Sequence, residues 1–161
     1  MSGQVIVSDL RVNRPRDKEH LLQQLLASGD GVFSSMAEAL LFAGSLGWSR
    51  GKSEAIKQSG EPIRYDVFRN MARAEAIIDA IAVLSCPGDA LILSEDRTPE
   101  RVEIFENYAN GGLIILQGEI RSSHLTVSDT LIGLVRDAGL SDRGTSSGVP
   151  DDIRKLLASP E

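Results

Sequence analysis

Six basic side chains, Arg50, Lys52, Lys57, Arg64, Arg69 and Arg73, fall between positions 50 and 73, opposed there only by Glu54, Glu61 and Asp66. Trp48 and Tyr65 stand beside them. Cationic side chains neutralise phosphates, and aromatic rings stack on exposed bases. The chemistry this spacing suits is therefore nucleic-acid contact, with the six cations on phosphates and Trp48 stacking or wedging. The competing reading is that these charges pair with acidic residues elsewhere or stay in water. Within the same stretch Gly47-Trp48-Ser49-Arg50-Gly51-Lys52-Ser53 is a near miss for a phosphate-binding loop. That motif needs four residues between its glycines and a strand in front of it. This string has three and follows a helical pattern, so nucleotide triphosphate binding is not expected. A helix start at Ser53 could still hold an isolated phosphate.

The other chemistry-bearing residues are sparse. His20 and His124 are the only histidines and have no metal-ligand spacing. No Gly-x-Ser-x-Gly elbow supports a serine triad. Glu103/Glu106 and Glu95/Asp96 are carboxylate pairs. General-acid work needs one member of such a pair buried and shifted, and the sequence predicts solvated faces for both pairs. Cys86, the only cysteine, reads as a buried inert thiol and excludes an internal disulfide or a cysteine metal cluster. Neither a cofactor nor a metal is expected.

These residues must be positioned by a chain of 161 residues with 42% apolar content, enough for one domain and one core. No apolar run approaches the roughly 20 residues of a membrane span, and the N-terminus lacks the pattern of a secretory signal. A reducing cytoplasm is the expected setting. The net charge of −6 is uneven. Residues 1–73 carry ten Lys/Arg against eight Asp/Glu, and residues 74–161 carry seven against fifteen. Two different surfaces, or an ordinary acidic protein, both fit that division.

The periodicity predicts a mainly α, compact, single-domain bundle of about six helices over residues 1–140, with a short strand or an ordered arm at Val5 to Val7 and a loop at Arg11 to Arg16. Leu21, Leu22, Leu25 and Leu26 place a helix over 17–27. Ser35 with Glu38 three residues on is a capping box opening a buried helix over 36–46, closed by Gly47. Residues 48–63 read as a long loop, with a turn of helix at 53–57. Such a length is uncommon in a small domain unless functional. A mostly helical stretch follows over 65–84, with Ile77, Ile78, Ile81 and Leu84 on one face. Thr98 caps and Pro99 opens the next helix, which stops at Asn110-Gly111-Gly112. Residues 113–120 favour helix. A short helix over 128–138 turns Leu131, Leu134 and Val135 inward. Residues 141–161 form a flexible tail with a weak helix at 151–158.

Three strings point beyond composition. They are Phe42-Ala43-Gly44-Ser45-Leu46-Gly47-Trp48, Ser59-Gly60-Glu61-Pro62-Ile63-Arg64-Tyr65-Asp66-Val67-Phe68 and Ile104-Phe105-Glu106-Asn107-Tyr108-Ala109-Asn110-Gly111-Gly112-Leu113. In this order and spacing they resemble the DNA phosphorothioation-associated protein 4 family, also called dnd system-associated protein 4. The Arg14-Pro15-Arg16-Asp17-Lys18 opening and the leucine-rich helix fit as well. The resemblance covers about residues 14–138 and carries over no catalytic residue. It implies a place in a bacterial system that puts sulfur into the DNA backbone or restricts DNA lacking it. The leading expectation is a non-catalytic accessory subunit of such an anti-phage defence system, acting by binding a larger protein component. The alternatives are a DNA-binding module built on the basic 50–73 region and, less favoured, a metal-dependent nuclease using scattered carboxylates. A homo-oligomer is compatible with all three.

Overall fold

The computed structural model of the chain describes residues 9–145. Among these the architecture is mainly α, six helices with one two-residue antiparallel pair. Strand β1 (Arg11–Val12) is followed by a 3-10 turn, Arg16–Lys18, that runs straight into α1 (Glu19–Leu25). Then come α2 (Met36–Ser49), β2 (Ile63–Arg64), α3 (Tyr65–Arg69) and α4 (Ala74–Ser85). Two further 3-10 turns, Ala90–Leu93 and Glu95–Arg97, lead to α5 (Thr98–Ser122), and α6 (Val127–Thr145) follows.

Helix α2 starts where the capping box places it. Ser35 is extended, with φ −147°, and its hydroxyl accepts the Glu38 N–H at 3.2 Å. The Glu38 carboxylate reaches back past the cap to the Ser34 N–H at 2.8 Å, so the hydroxyl satisfies one orphaned first-turn donor and the carboxylate ties down the residue that leads into the helix. Helix α2 buries Ala37, Leu40 and Ala43. It lies chiefly against α5, which also packs on α4. Leu22 and Leu25 of α1, Phe68 of α3, Ile78 of α4 and Phe105, Leu113 and Leu116 of α5 close the core, and none is measurably exposed. Phe68 and Phe105 meet edge to face, with ring centroids 5.9 Å apart.

Several expectations are overturned, each for a physical reason. Gly47 does not end α2. A Cβ there would sit 2.0 Å from the Tyr108 carbonyl oxygen, so this glycine lets α5 approach inside the helix. Asn110-Gly111-Gly112 does not end α5 either, which runs unbroken for 25 residues. A Cβ on Gly112 would lie 1.7 Å from the Ala43 carbonyl oxygen and one on Gly111 2.0 Å from that of Lys52. Close approach of backbones selects glycine here, and the helix absorbs its entropic cost of roughly 1 kcal/mol per residue.

Arg11 to Arg16 is not a free loop: Arg11 and Val12 pair with Arg64 and Ile63, and Pro15 bridges Ser59. The stretch over 65–84 is mostly helical, as expected, but divides in two after Arg69, where Arg73 adopts a left-handed φ of 67° before α4 begins. Thr98 opens α5 but does not cap it; its hydroxyl donates to the Glu95 carbonyl at 2.7 Å, because a 3-10 turn already feeds the helix. Residues 53–57 form no helical turn. Leu84 and Val135 point to solvent, whereas Ile78, Ile81, Leu131 and Leu134 are buried. Helix α6 continues past the expected 138 to Thr145. The strand placed at Val5 to Val7 and the helix placed at 151–158 lie outside the described residues.

Candidate functional site

The basic segment begins at a helix end built to turn the chain. Gly51 has φ 64°, its N–H donates to the Trp48 carbonyl at 3.0 Å, and the Lys52 N–H donates to the Gly47 carbonyl at 2.8 Å. This is a Schellman motif, and the real glycine cap of α2 is therefore Gly51, four residues beyond the expected one. The phosphate-loop look-alike is this helix end, and Ser53 starts no helix. The turn leaves Trp48, 39% exposed, in solvent together with Arg50 and Lys52.

Beyond Lys52 the chain is irregular yet pinned at each step. The Glu54 N–H donates to the Asn107 carbonyl at 3.0 Å. The Asn110 side-chain amide donates to the carbonyls of Glu54 and Ala55 at 3.1 and 3.3 Å. Arg16 N–H reaches the Gln58 carbonyl at 2.9 Å, and Gly60 N–H reaches that of Arg14 at 2.7 Å. The buried Arg14 donates from Nε to the Glu61 carbonyl at 2.6 Å. Long loops are ordered only when their backbone groups find such partners.

The candidate cations fall into different settings. Arg69 is locally neutralised, with Asp66 at 3.8 Å and Glu75 at 4.0 Å. Lys57 sits beside Asp17, whose carboxyl is held below its ordinary value mainly by a hydrogen bond from Lys18, with Lys57 adding to the field. Arg50, Lys52, Arg64 and Arg73 are exposed and make no ion pair among the described residues. Arg64 lies directly across the strand pair from Arg11, which is also exposed and without an ion pair among the described residues. Like charges opposed in this way are destabilising. Arg11 is not among the cations that the sequence singles out, because a two-residue pairing between segments some fifty positions apart carries no sequence signal.

A second feature departs from the sequence expectation. Leu10, Arg11 and Asn13 on one side, Ala55, Ile56 and Ser59 on another, and Pro99, Val102, Glu103, Glu106 and Asn107 of α5 enclose a groove of about 370 Å³. Glu106 is only 9% exposed. Its Oε1 accepts the Asn13 N–H at 2.7 Å, and no cation among the described residues pairs with it. Burial pushes the carboxyl above its ordinary value, the Asn13 hydrogen bond works against that, and Glu103 adds to it. The solvated face expected for this pair holds for Glu103 and fails for Glu106. The signal existed: Val102, Phe105, Ala109 and Leu113 form the core stripe of α5, and position 106 lies inside it.

The remaining candidates stay apart from this groove. His20 is exposed on α1 and lines a separate cavity of about 520 Å³ with Gln24, Gln117 and Arg121; His124 is exposed after α5. Cys86 is half-buried at the end of α4, not buried. Among the described residues no three of His, Cys, Asp and Glu converge as metal ligands, and no helix is long and apolar enough to cross a membrane.

Compared with known protein families, the chain matches the family model described as DNA sulphur modification system-associated protein 4 over residues 11–149. No curated protein and no solved structure matches it.

Proposed function

This chain belongs to the DNA sulphur modification system-associated protein 4 family, and from that premise we propose that it is a non-catalytic accessory subunit of a phosphorothioation-linked defence system. It works by binding a larger protein of that system. The observation that carries this reading is an apolar groove of about 340 Å³ between the α1–α2 connection and α6. Val32, Phe33, Phe42, Leu131, Ile132 and Val135 line it, with Arg136 the one charged residue. Phe33 and Phe42 meet in its wall with ring centroids 5.3 Å apart and planes tilted by 46°, and the Ser128 hydroxyl ties α6 to the Asp30 carbonyl at 2.9 Å. A contiguous apolar surface left exposed in this way is the kind of patch that a partner protein covers. Co-expression with the other proteins of the system should yield a complex on gel filtration. Ile132→Asp and Val135→Asp, both at exposed positions, should abolish it without lowering the melting temperature of the free chain. A purified chain that cuts or modifies DNA unaided would refute the non-catalytic assignment.

One observation favours a second reading, direct DNA contact. Arg11 and Arg64 face each other across the strand pair, and Arg50 and Lys52 stand exposed beside Trp48. A bridging phosphate would relieve the first pair. Each phosphate neutralised steepens the log–log salt dependence of binding by about 0.9. Fluorescence anisotropy over a salt series, with plain and phosphorothioate-bearing duplexes, tests it. Binding that Arg50→Glu, Lys52→Glu and Arg64→Glu leave unchanged, or no binding at low salt, rules out this surface.

A further inference from the structure

We propose that the Glu106 groove is a socket for a basic side chain, an arginine carried by an extended segment of the protein partner. The inference rests on the partner-binding reading above and names a second contact for it. The Glu106 carboxyl is held by the Asn13 backbone N–H, at 2.7 Å from Oε1, and by the Asn13 side chain, and no cation among the described residues pairs with it. Glu106 itself lines the groove, so a ligand seated there meets its carboxyl. A largely desolvated carboxylate without a cation is costly, and a guanidinium is its direct complement, because two parallel N–H donors fit one carboxylate.

The groove's other walls suit the same occupant. Glu103 lies one turn before Glu106 on the same helix and lines the groove with it, against the single cation Arg11. Leu10, Ile56, Pro99 and Val102 offer apolar surface for the methylene stem. Asn13, Ser59 and Asn107 offer hydrogen-bonding groups to the flanking backbone. A volume of about 370 Å³ holds one long side chain and its peptide neighbours. The buried Glu106 and the exposed Glu103 at the groove's edge both repel a phosphate, which places a peptide ahead of a nucleotide as the occupant.

The test uses the full chain, isotopically labelled, titrated with the capped tripeptide Ala-Arg-Ala and with its citrulline counterpart, which keeps the shape and removes the charge. The backbone amide of Asn13 is the reporter, since it is bonded to Glu106. The expected result is a saturable shift at Asn13 and Asn107 that is about tenfold weaker in affinity with citrulline, a loss of roughly 1.4 kcal/mol. Glu106→Gln keeps an acceptor for the Asn13 N–H and removes the charge, and should abolish the arginine preference. Ala55→Trp fills the groove from the loop without altering Glu106, and should block both peptides, so a failure of Glu106→Gln to fold leaves the test standing. Equal response to the two peptides, or an arginine preference that survives these substitutions, overturns the socket. So does adenosine monophosphate binding there more tightly than the arginine peptide. None of these outcomes touches co-purification with a partner through the α6 groove, so the two readings fail separately.

Discussion

Replacing Gly112 and Gly118 by alanine, one at a time, puts the same methyl group on the same helix in two opposite environments. At Gly112 the new Cβ would lie 1.7 Å from the Ala43 carbonyl oxygen and 2.5 Å from its carbon. Both clashing partners are backbone, so no rotamer change relieves them, and α5 must move off α2 by roughly 1.5 Å to restore an ordinary contact. A gap of even half that size forfeits a quarter to a half of each dispersion contact across the interface. Overpacking of this kind costs about 3 kcal/mol, at the upper end of its range because nothing flexible yields. Against that stands the helix-propensity gain of Gly to Ala, about 1 kcal/mol. Gly112→Ala should therefore lose about 2 kcal/mol. At Gly118 nothing lies within 4 Å of the added carbon. Gly118→Ala should keep the whole propensity gain of about 1 kcal/mol. The two variants should differ by about 3 kcal/mol, and by roughly 6–12 °C in melting temperature. Urea unfolding at 25 °C followed by circular dichroism reads this directly, with unchanged m-values confirming that the same surface unfolds. If Gly112→Ala proves as stable as Gly118→Ala, the backbones of α2 and α5 do not approach each other this closely.

Three other sites give tests of their own. Glu106 binds its proton more tightly folded than unfolded, because burial raises its carboxyl above the ordinary 4.5. The penalty of ionising it is absent below that ordinary value, grows as pH rises through the folded value, and is constant above. Glu106→Gln should thus match the parent in acid and be more stable at neutral pH; the reverse trend in paired thermal melts would mean that the carboxylate is stabilised. Arg101 is buried and donates to Asp79 at 2.8 Å, to the Ile92 and Ser94 carbonyls at 2.7 Å each and to Thr98 at 3.0 Å. Arg101→Met orphans all four and should cost about 3 kcal/mol. Arg101→Lys should recover less than half, since a point charge cannot replace the fork, and a loss below about 1 kcal/mol in denaturant would contradict the geometry. Gly51→Ala forces a methyl-bearing residue to hold φ 64°. It should cost about 1–2 kcal/mol, and an unchanged midpoint would show that the α2 end does not need that conformation.

Local signals of this fold are legible where the cause is local. The α1 stripe, the Ser35–Glu38 box and the Pro99 start of α5 each depend on neighbours within a turn, and each lies where the sequence places it. What fails depends on partners distant in sequence. Glycine normally terminates a helix because it adopts the left-handed conformation that lets the last carbonyls be capped. At Gly47, Gly111 and Gly112 another backbone occupies the space that a side chain would need, and only the packed fold reveals it. The β1–β2 register is illegible for the same reason. Two residues on each side carry no period, so the opposition of Arg11 and Arg64 is a tertiary fact. Glu106 is intermediate. Its place in the α5 stripe is readable, but acidic composition around it argues for water, and the shielding comes from the 55–59 loop and β1.

The string that looks like a helix stop is what joins the core to the basic surface. Asn110 holds the carbonyls of Glu54 and Ala55, Gly111 admits that of Lys52 and Gly112 that of Ala43. Three successive residues of one helix therefore seat both α2 and the segment that follows it. Arg50 and Lys52 lie between those two anchor points, across the Schellman turn. The segment after Lys52 also forms one wall of the Glu106 groove through Ala55, Ile56 and Ser59. A substitution at Gly111, far from Arg50 and Lys52 in sequence, should thus disturb the basic turn and the groove together, whereas loss of Arg50 or Lys52 charge should leave the groove intact. That asymmetry follows from the direction of support, which runs from the α5 backbone outward to the surface.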